Sequence, residues 1–380
     1  MTNNSNEFKL LIEASQITPS SSRILTLFDE GIRQKHLLKL ALANGVLPLV
    51  YQELCKYPKI LMDDDIKKYT IEIKNTNFFM SAQLLQLVFL LKEKGISILP
   101  IKGPALAQHA YKDIALRPFS DLDILAKRDD LQEISSTLLD MGYQNEKSLS
   151  ALIHPFILKK SSDISFIHPD TGVVIELHWK LLKSVHEGLS NIPALFKQSI
   201  TLPFQNTELS SLPLEEEFLY LCIHAAKHRF ERIEWMNDIN RLYELYCTTY
   251  DWNKLLDMAM EEGYLSAYLL GLLILNKQYQ RNILDKSTQR LMQGKKVSYL
   301  YMKVLSLHAD DYILKPKKDG FRWMEFFFSL KLEDSLTKKA SLLASLIFPL
   351  YMDDVLSIKE QPSYLSFIYY LVRLKRLFGL

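Results

Sequence analysis

Asp121 and Asp123 stand one residue apart in Ser120-Asp121-Leu122-Asp123-Ile124-Leu125, a mainly apolar run. Read as a strand, the run projects both carboxylates from one face and turns Leu122 and Ile124 to the other. Two neighbouring like charges push one carboxyl towards protonation unless a cation cancels them, and a hard divalent ion such as Mg²⁺ does so through carboxylate oxygens. A third carboxylate, Glu176, lies in Gly172-Val173-Val174-Ile175-Glu176-Leu177-His178-Trp179. The β-branched and aromatic content of this run predicts a strand with Val174, Glu176 and His178 on one face and Ile175 and Leu177 on the other. Two strands can thereby aim three carboxylates at one point, a ligand set suited to two metals that clamp the attacking and leaving oxygens of a phosphoryl or nucleotidyl transfer. Asp163 and Asp170 compete with Glu176 for the third place. Acidic pairs also abound at strand ends and in turns, so Asp-x-Asp gains weight only from its neighbours in sequence.

Upstream, Ile96-Ser97-Ile98-Leu99-Pro100-Ile101 follows a Glu93-Lys94-Gly95 turn and reads as a short strand, and Pro100 places its end at or near a sheet edge. Lys102-Gly103-Pro104 then turns the chain into a helix, with Gly103 permitting close backbone approach and Pro104 suited to the first helical position. Free N–H groups at such a helix start would face a triphosphate. Lys102 as a point charge and Arg117 as a bidentate fork would add positive charge; the bland alternative is a pair of surface cations.

A Gly-containing strand-to-helix turn, an Asp-x-Asp strand and a later acidic strand, in this order, resemble the nucleotidyltransferase superfamily that includes DNA polymerase beta. Lys-Gly-Pro-Ala-Leu-Ala from Lys102, Leu-Arg-Pro-Phe-Ser-Asp-Leu-Asp-Ile-Leu from Leu116, Glu-Leu-His-Trp from Glu176, His-Ala-Ala-Lys-His from His224 and Trp-Met-Asn-Asp-Ile from Trp235 are similar to a bacterial family of uncharacterised nucleotidyltransferases. The similarity runs through roughly residues 30 to 250, with a looser match in the helical tail. It implies Asp121, Asp123 and Glu176 as catalytic metal ligands for Mg²⁺ or Mn²⁺, and Lys102, Gly103, Arg117 and Ser120 as nucleotide contacts. The wider superfamily supplies a hydroxyl to the phosphates from a Gly-Ser or Gly-Gly-Ser turn. Pro104 and Ala105 follow Gly103 here, leaving Lys102 or Ser120 to substitute.

His224 and His228 are four residues apart in Leu221-Cys222-Ile223-His224-Ala225-Ala226-Lys227-His228, which puts both imidazoles on one helix face. A zinc-protease reading fails because Ala225, not Glu, follows the first His. The family resemblance places His224, His228 and Asp238, on the next helix, at the acceptor or nucleotide side of a cleft; a packed, hydrogen-bonded histidine pair is the equal alternative. His178 shares a strand face with Glu176 and could orient a carboxylate or assist proton transfer, or be a half-buried strand residue. Trp179 reads as core, since no row of aromatic and basic residues accompanies it.

The 380 residues are 48% hydrophobic and carry 46 Lys plus Arg against 44 Asp plus Glu, a net charge of +2. That is enough apolar material for a substantial core, and the near balance of charge does not point to a dedicated nucleic-acid binder, a local basic groove staying open. Cys55, Cys222 and Cys247 lack zinc-type spacing, which favours a reducing, cytoplasmic setting over a disulfide framework. The polar start Met1 to Glu7 is unlike a secretory signal. No transmembrane segment is expected: Ala340 to Met352 is short and interrupted by Pro349, and Tyr364 to Leu380 reads as a helix docked on the protein rather than on a membrane surface.

The elements needed to position these residues follow from periodicity. Residues 1–94 form a helical N-terminal region, with a long helix from Ile66 to Lys94 stopped at Gly95. Residues 95–182 carry the strands, a helix from Asp129 to Met141 stopped by Gly142, and a strand pair made of Phe156–Lys160 and Ile164–His168. Residues 183–380 form a helical C-terminal region, helical from Leu214 nearly to the end. The expected class is α+β, mostly helical, with a small mixed sheet of nucleotidyltransferase type; the strand order comes from the resemblance alone.

The expected activity is metal-dependent transfer of a nucleoside monophosphate from a nucleoside triphosphate, ATP among the candidates, to an acceptor, with pyrophosphate leaving. The acceptor is open among small molecules, peptides, proteins and RNA. The alternative is a non-catalytic nucleotide-binding or interaction protein that keeps the fold, against which three intact carboxylates argue.

Overall fold

The computed structural model describes residues 5–145, 158, 161–182, 189, 191–283, 286–307 and 323–347. Its class is α+β and mostly helical. The N-terminal region folds as α1 (Asn6–Ala14), α2 (Ser21–Asp29), α3 (Gln34–Ala43), α4 (Leu47–Leu54) and the long α5 (Asp64–Glu93). Asp64 and Asp65 in the first turn of α5 and Lys92 in the last complement the helix dipole. At 30 residues α5 is about 45 Å long, and Met80, Leu84, Leu87 and Leu91 form its buried stripe.

A four-stranded sheet follows, built from β1 (Leu99–Pro100), β2 (Asp121–Leu125), β3 (Asp163–Ile167) and β4 (Val174–His178) in the order β1-β2-β4-β3. Strand β2 runs parallel to β4, and β1 and β3 are antiparallel to their neighbours. The Ile96–Ile101 strand expected from sequence shrinks to two residues at the sheet edge, since Pro100 has no N–H to extend the ladder. Helix α6 (Gly103–Tyr111) joins β1 to β2, and α7 (Leu131–Asp140) follows β2. Leu122, Ile124, Ile175, Leu177, Ile164 and Phe166 bury one sheet face against α5 and α7, each such side chain contributing about 1.5–3 kcal/mol. Trp179 is 1% exposed in this core, as expected. Ile164–Ile167 belongs to β3, whose neighbour is β4. The Phe156–Lys160 half of the expected strand pair lies outside the described residues, Leu158 excepted.

After the short α8 (Ile192–Gln198) comes an antiparallel hairpin, β5 (Ile200–Phe204) and β6 (Thr207–Ser211), for which no strand is expected from sequence and which precedes the run expected to be helical from Leu214. Helices α9 (Leu214–Lys227), α10 (Ile233–Tyr246), α11 (Trp252–Glu261), α12 (Leu265–Gln278), α13 (Lys286–Met292), α14 (Lys295–Leu307), α15 (Trp323–Leu332) and α16 (Leu336–Ile347) complete the described chain. A second core joins α1 to α4, α6 and the C-terminal helices, so the polar face of the sheet looks towards α9 and α10. Among the described residues no helix is long and apolar enough to cross a membrane. The apolar stretch from Ala340 is helical to Ile347; its remainder, and Tyr364–Leu380, lie outside the described residues.

Candidate metal and nucleotide site

The parallel register sets Asp123 of β2 directly beside Glu176 of β4, and Leu125 beside His178. Alternation then puts Asp121, Asp123, Glu176 and His178 on the face opposite the apolar core. They line a cleft of about 570 Å³ together with Lys102, Gly103, Arg117, Ser120 and Asp163 from the sheet side and Tyr220, His224, Lys227, His228, Arg232, Glu234 and Trp235 from α9, α10 and the segment joining them.

Asp123 is 3% exposed and held on both sides. His178 Nε2 donates to Asp123 Oδ1 at 3.1 Å and lies 3.5 Å from Glu176 Oε2. Lys102 Nζ is 3.0 Å from Asp123 Oδ2 and donates to His224 Nε2 at 3.3 Å. Burial alone would raise the Asp123 carboxyl, but the Lys102 charge and the His178 hydrogen bond win and hold it well below the usual carboxylate range. Asp121 moves the other way, raised by burial and then by the Asp123 charge. Burial lowers His178, but its bonds to Asp123 and Glu176 lift it to about 9. For Tyr220, burial dominates and pushes the phenol up to about 12.

Gly103 opens α6 at φ +57°, and a Cβ there would come within 3.4 Å of the Asp121 carbonyl oxygen. A glycine serves both demands, a left-handed backbone and a close approach to β2. The α6 N-terminus is thereby pressed against the carboxylate strand. Pro104 occupies the second helical position rather than the first, where its missing N–H still costs no helical bond.

Arg117 reaches away from the carboxylate trio. Its Nε and Nη2 donate to Asp238 Oδ1 and Oδ2 at 2.8 and 2.9 Å, and Nη2 lies 3.2 Å from Glu234 Oε1. Tyr111 Oη donates to the same Asp238 at 2.7 Å. Asp238, 1% exposed, sits behind Arg117 and outside the cleft lining. Helix α10 has no capping side chain of its own; Asn44, fully buried at the end of α3, accepts from Ile233 N at 3.3 Å and, through its carbonyl, from Glu234 N at 3.1 Å. Ser120 is exposed at the cleft mouth.

His224 and His228 meet as expected, with ring centroids 4.8 Å apart. Trp235 packs against both. Tyr220, Trp235 and Arg232 are cleft residues that sequence reasoning left out. Tyr220 carried a usable signal, since it precedes His224 by four residues and so shares its helix face. Trp235 opens the Trp-Met-Asn-Asp-Ile run three residues before Asp238, one helical turn away, so the same run carried its signal.

Ligand atoms of Asp123, Glu176 and His178 lie within 4.8 Å of one another. Asp123 Oδ2 is buried and faces the Lys102 ammonium at 3.0 Å. Two carboxylates with a histidine in so small a cluster fit a divalent cation. Asp121, expected in this trio, lines the same cleft beside it, and His178 stands within the cluster.

Carboxylates on adjoining strands, a helix N-terminus and a lysine around one cleft make a site suited to a divalent cation and to chemistry at phosphate. The chain belongs to the family of uncharacterised nucleotidyltransferases, whose family model matches residues 30–280. Comparison with curated proteins gives no match.

Proposed function

We propose that this protein transfers a nucleoside monophosphate from a nucleoside triphosphate to an acceptor in the presence of Mg²⁺ or Mn²⁺, in the cytoplasm. The observation that carries this reading is the cross-strand pairing of Asp123 with Glu176 at the floor of a cleft that also receives the α6 N-terminus. Asp121, Asp123 and Glu176 would hold the cation, with His178 fixing the orientation of Asp123. A cation there supplies charge neutralisation on the triphosphate and favours the deprotonated acceptor. Lys102, the backbone at Gly103 and Ser120 would steady the phosphates, with Arg117 bracing the cleft wall through Asp238 and Glu234 instead of contacting them. Glu176, whose side chain keeps 33% exposure, would take the acceptor proton. The acceptor oxygen forms a bond to the α-phosphorus, the bond from that phosphorus to the β-bridging oxygen breaks, and pyrophosphate leaves with the electron pair. Three free thiols, Cys55, Cys222 and Cys247, suit a reducing compartment.

The test is transfer of label from each of the four α-labelled nucleoside triphosphates into host cell extract, with Mg²⁺ or Mn²⁺. Label transferred by the unaltered protein and not by an Asp121→Ala, Asp123→Ala double variant supports the reading and reveals whether the acceptor is a small molecule, peptide, protein or RNA. No transfer, together with no metal-dependent nucleotide binding, would overturn it.

A further inference from the structure

The end of the cleft beyond Lys102 is built of rings. The Trp235 centroid lies 5.1 Å from that of His228 and 5.6 Å from that of His224, and the Arg232 guanidinium carbon is 5.7 Å from the Trp235 ring centroid. All four residues line the same cavity as Asp121, Asp123 and Glu176.

The cations at this end are already engaged. Arg232 Nη2 pairs with Glu234 Oε2 at 2.7 Å, and Lys227 Nζ lies 5.2 Å from the Tyr264 ring centroid. Burial first, then the Lys102 charge, lowers both imidazoles and favours their neutral form. An anionic group therefore gains little here. A neutral planar heterocycle gains more, because indole and imidazole faces stack on any base while the neutral His228 ring offers one donor and one acceptor to its edge.

Lys102 also fixes how this end relates to the carboxylates. Its Nζ touches Asp123 on one side and His224 on the other, so phosphates gathered at the α6 N-terminus leave the nucleoside beside the rings. Building on the proposed nucleotidyl transfer, we infer that Trp235, with His228 and His224, is the platform on which the base of the donor nucleoside triphosphate stacks.

The experiment is calorimetry on the full chain at fixed Mg²⁺ with two probes, an α,β-methylene nucleoside triphosphate and inorganic tripolyphosphate. The expected result is that Trp235→Ala weakens the nucleotide analogue by about tenfold or more, leaves tripolyphosphate unchanged, and that Trp235→Phe restores most of the loss. Equal losses for both probes, or no loss for either, would overturn the platform and leave nucleotidyl transfer standing. An unaltered protein that binds the two probes equally well would do the same. Binding of neither probe by the unaltered protein would overturn the transfer reading and the platform with it. Should Trp235→Ala fail to fold by circular dichroism, His228→Ala, at the more accessible of the two histidines, must show the same selective loss.

Discussion

Arg117 and Asp238 form a bidentate pair with both partners nearly sealed from water, and the pair stands between the carboxylate sheet and helix α10. Arg117 Nη2 also faces Glu234, which Arg232 holds from its other oxygen, so Arg117 is the sole guanidinium described on Asp238 and one of two on Glu234. Removing it leaves the buried Asp238 carboxylate without its cation in a low dielectric, while Glu234 keeps Arg232. Arg117→Met is expected to cost about 3–5 kcal/mol in urea unfolding, and an Arg117→Met, Asp238→Leu double variant to recover part of that loss. A single-variant cost below about 1 kcal/mol, the range of an exposed pair, would contradict the account.

Asp123→Asn keeps the shape of the residue and removes the charge that Lys102 and His178 face. Turnover is expected to fall by about 10²–10³ or more, the scale of losing one electrostatic contact to the reacting groups. Near-native far-ultraviolet circular dichroism should accompany the loss. Undiminished transfer would remove Asp123 from the chemistry.

The two cleft histidines predict an acid limit to stability. Burial, Lys102, Arg117 and His228 depress His224 below its ordinary 6.5 against the opposing charge of Asp123. His228 is depressed by burial, Lys102, Arg229 and Lys227 against Glu231. The unfolded chain therefore takes up protons near pH 6.5 while the folded one resists them. Their contribution is fully present above that pH and is lost as pH falls below it through the folded values. Melting temperature followed between about pH 4 and 8 should fall more steeply on the acid side for the unaltered protein than for a His224→Gln, His228→Gln double variant. Parallel curves would refute the prediction.

Asn44→Ala removes the only side-chain acceptor described at the α10 N-terminus. The expected loss is about 1–2 kcal/mol, read as a lower urea midpoint at unchanged slope. Because α10 carries Trp235, nucleotide affinity should weaken as well, although Asn44 is absent from the cleft lining.

The carboxylate strands were legible because alternation is a local signal. Leu122 and Ile124 against Asp121 and Asp123, and Ile175 and Leu177 against Glu176 and His178, announce two faces without any partner being known. The hairpin of β5 and β6 escaped because its turn is Gln205-Asn206, with Gln205 at φ +52° and no glycine to mark it, and Pro203 argued against a strand. The pairing of Arg117 was hidden for a different reason. A guanidinium near an acidic strand fits a phosphate contact equally well from sequence, and Asp238 lies 121 residues away along the chain.

Asn44 and Ile233 are 189 residues apart in sequence, yet one hydrogen bond joins them. A chain that must close so long a loop before gaining the contact folds more slowly than one built from neighbours. The ring-lined end of the cleft is therefore expected to be among the last parts to consolidate. During synthesis, Asn44 emerges long before the helix it caps.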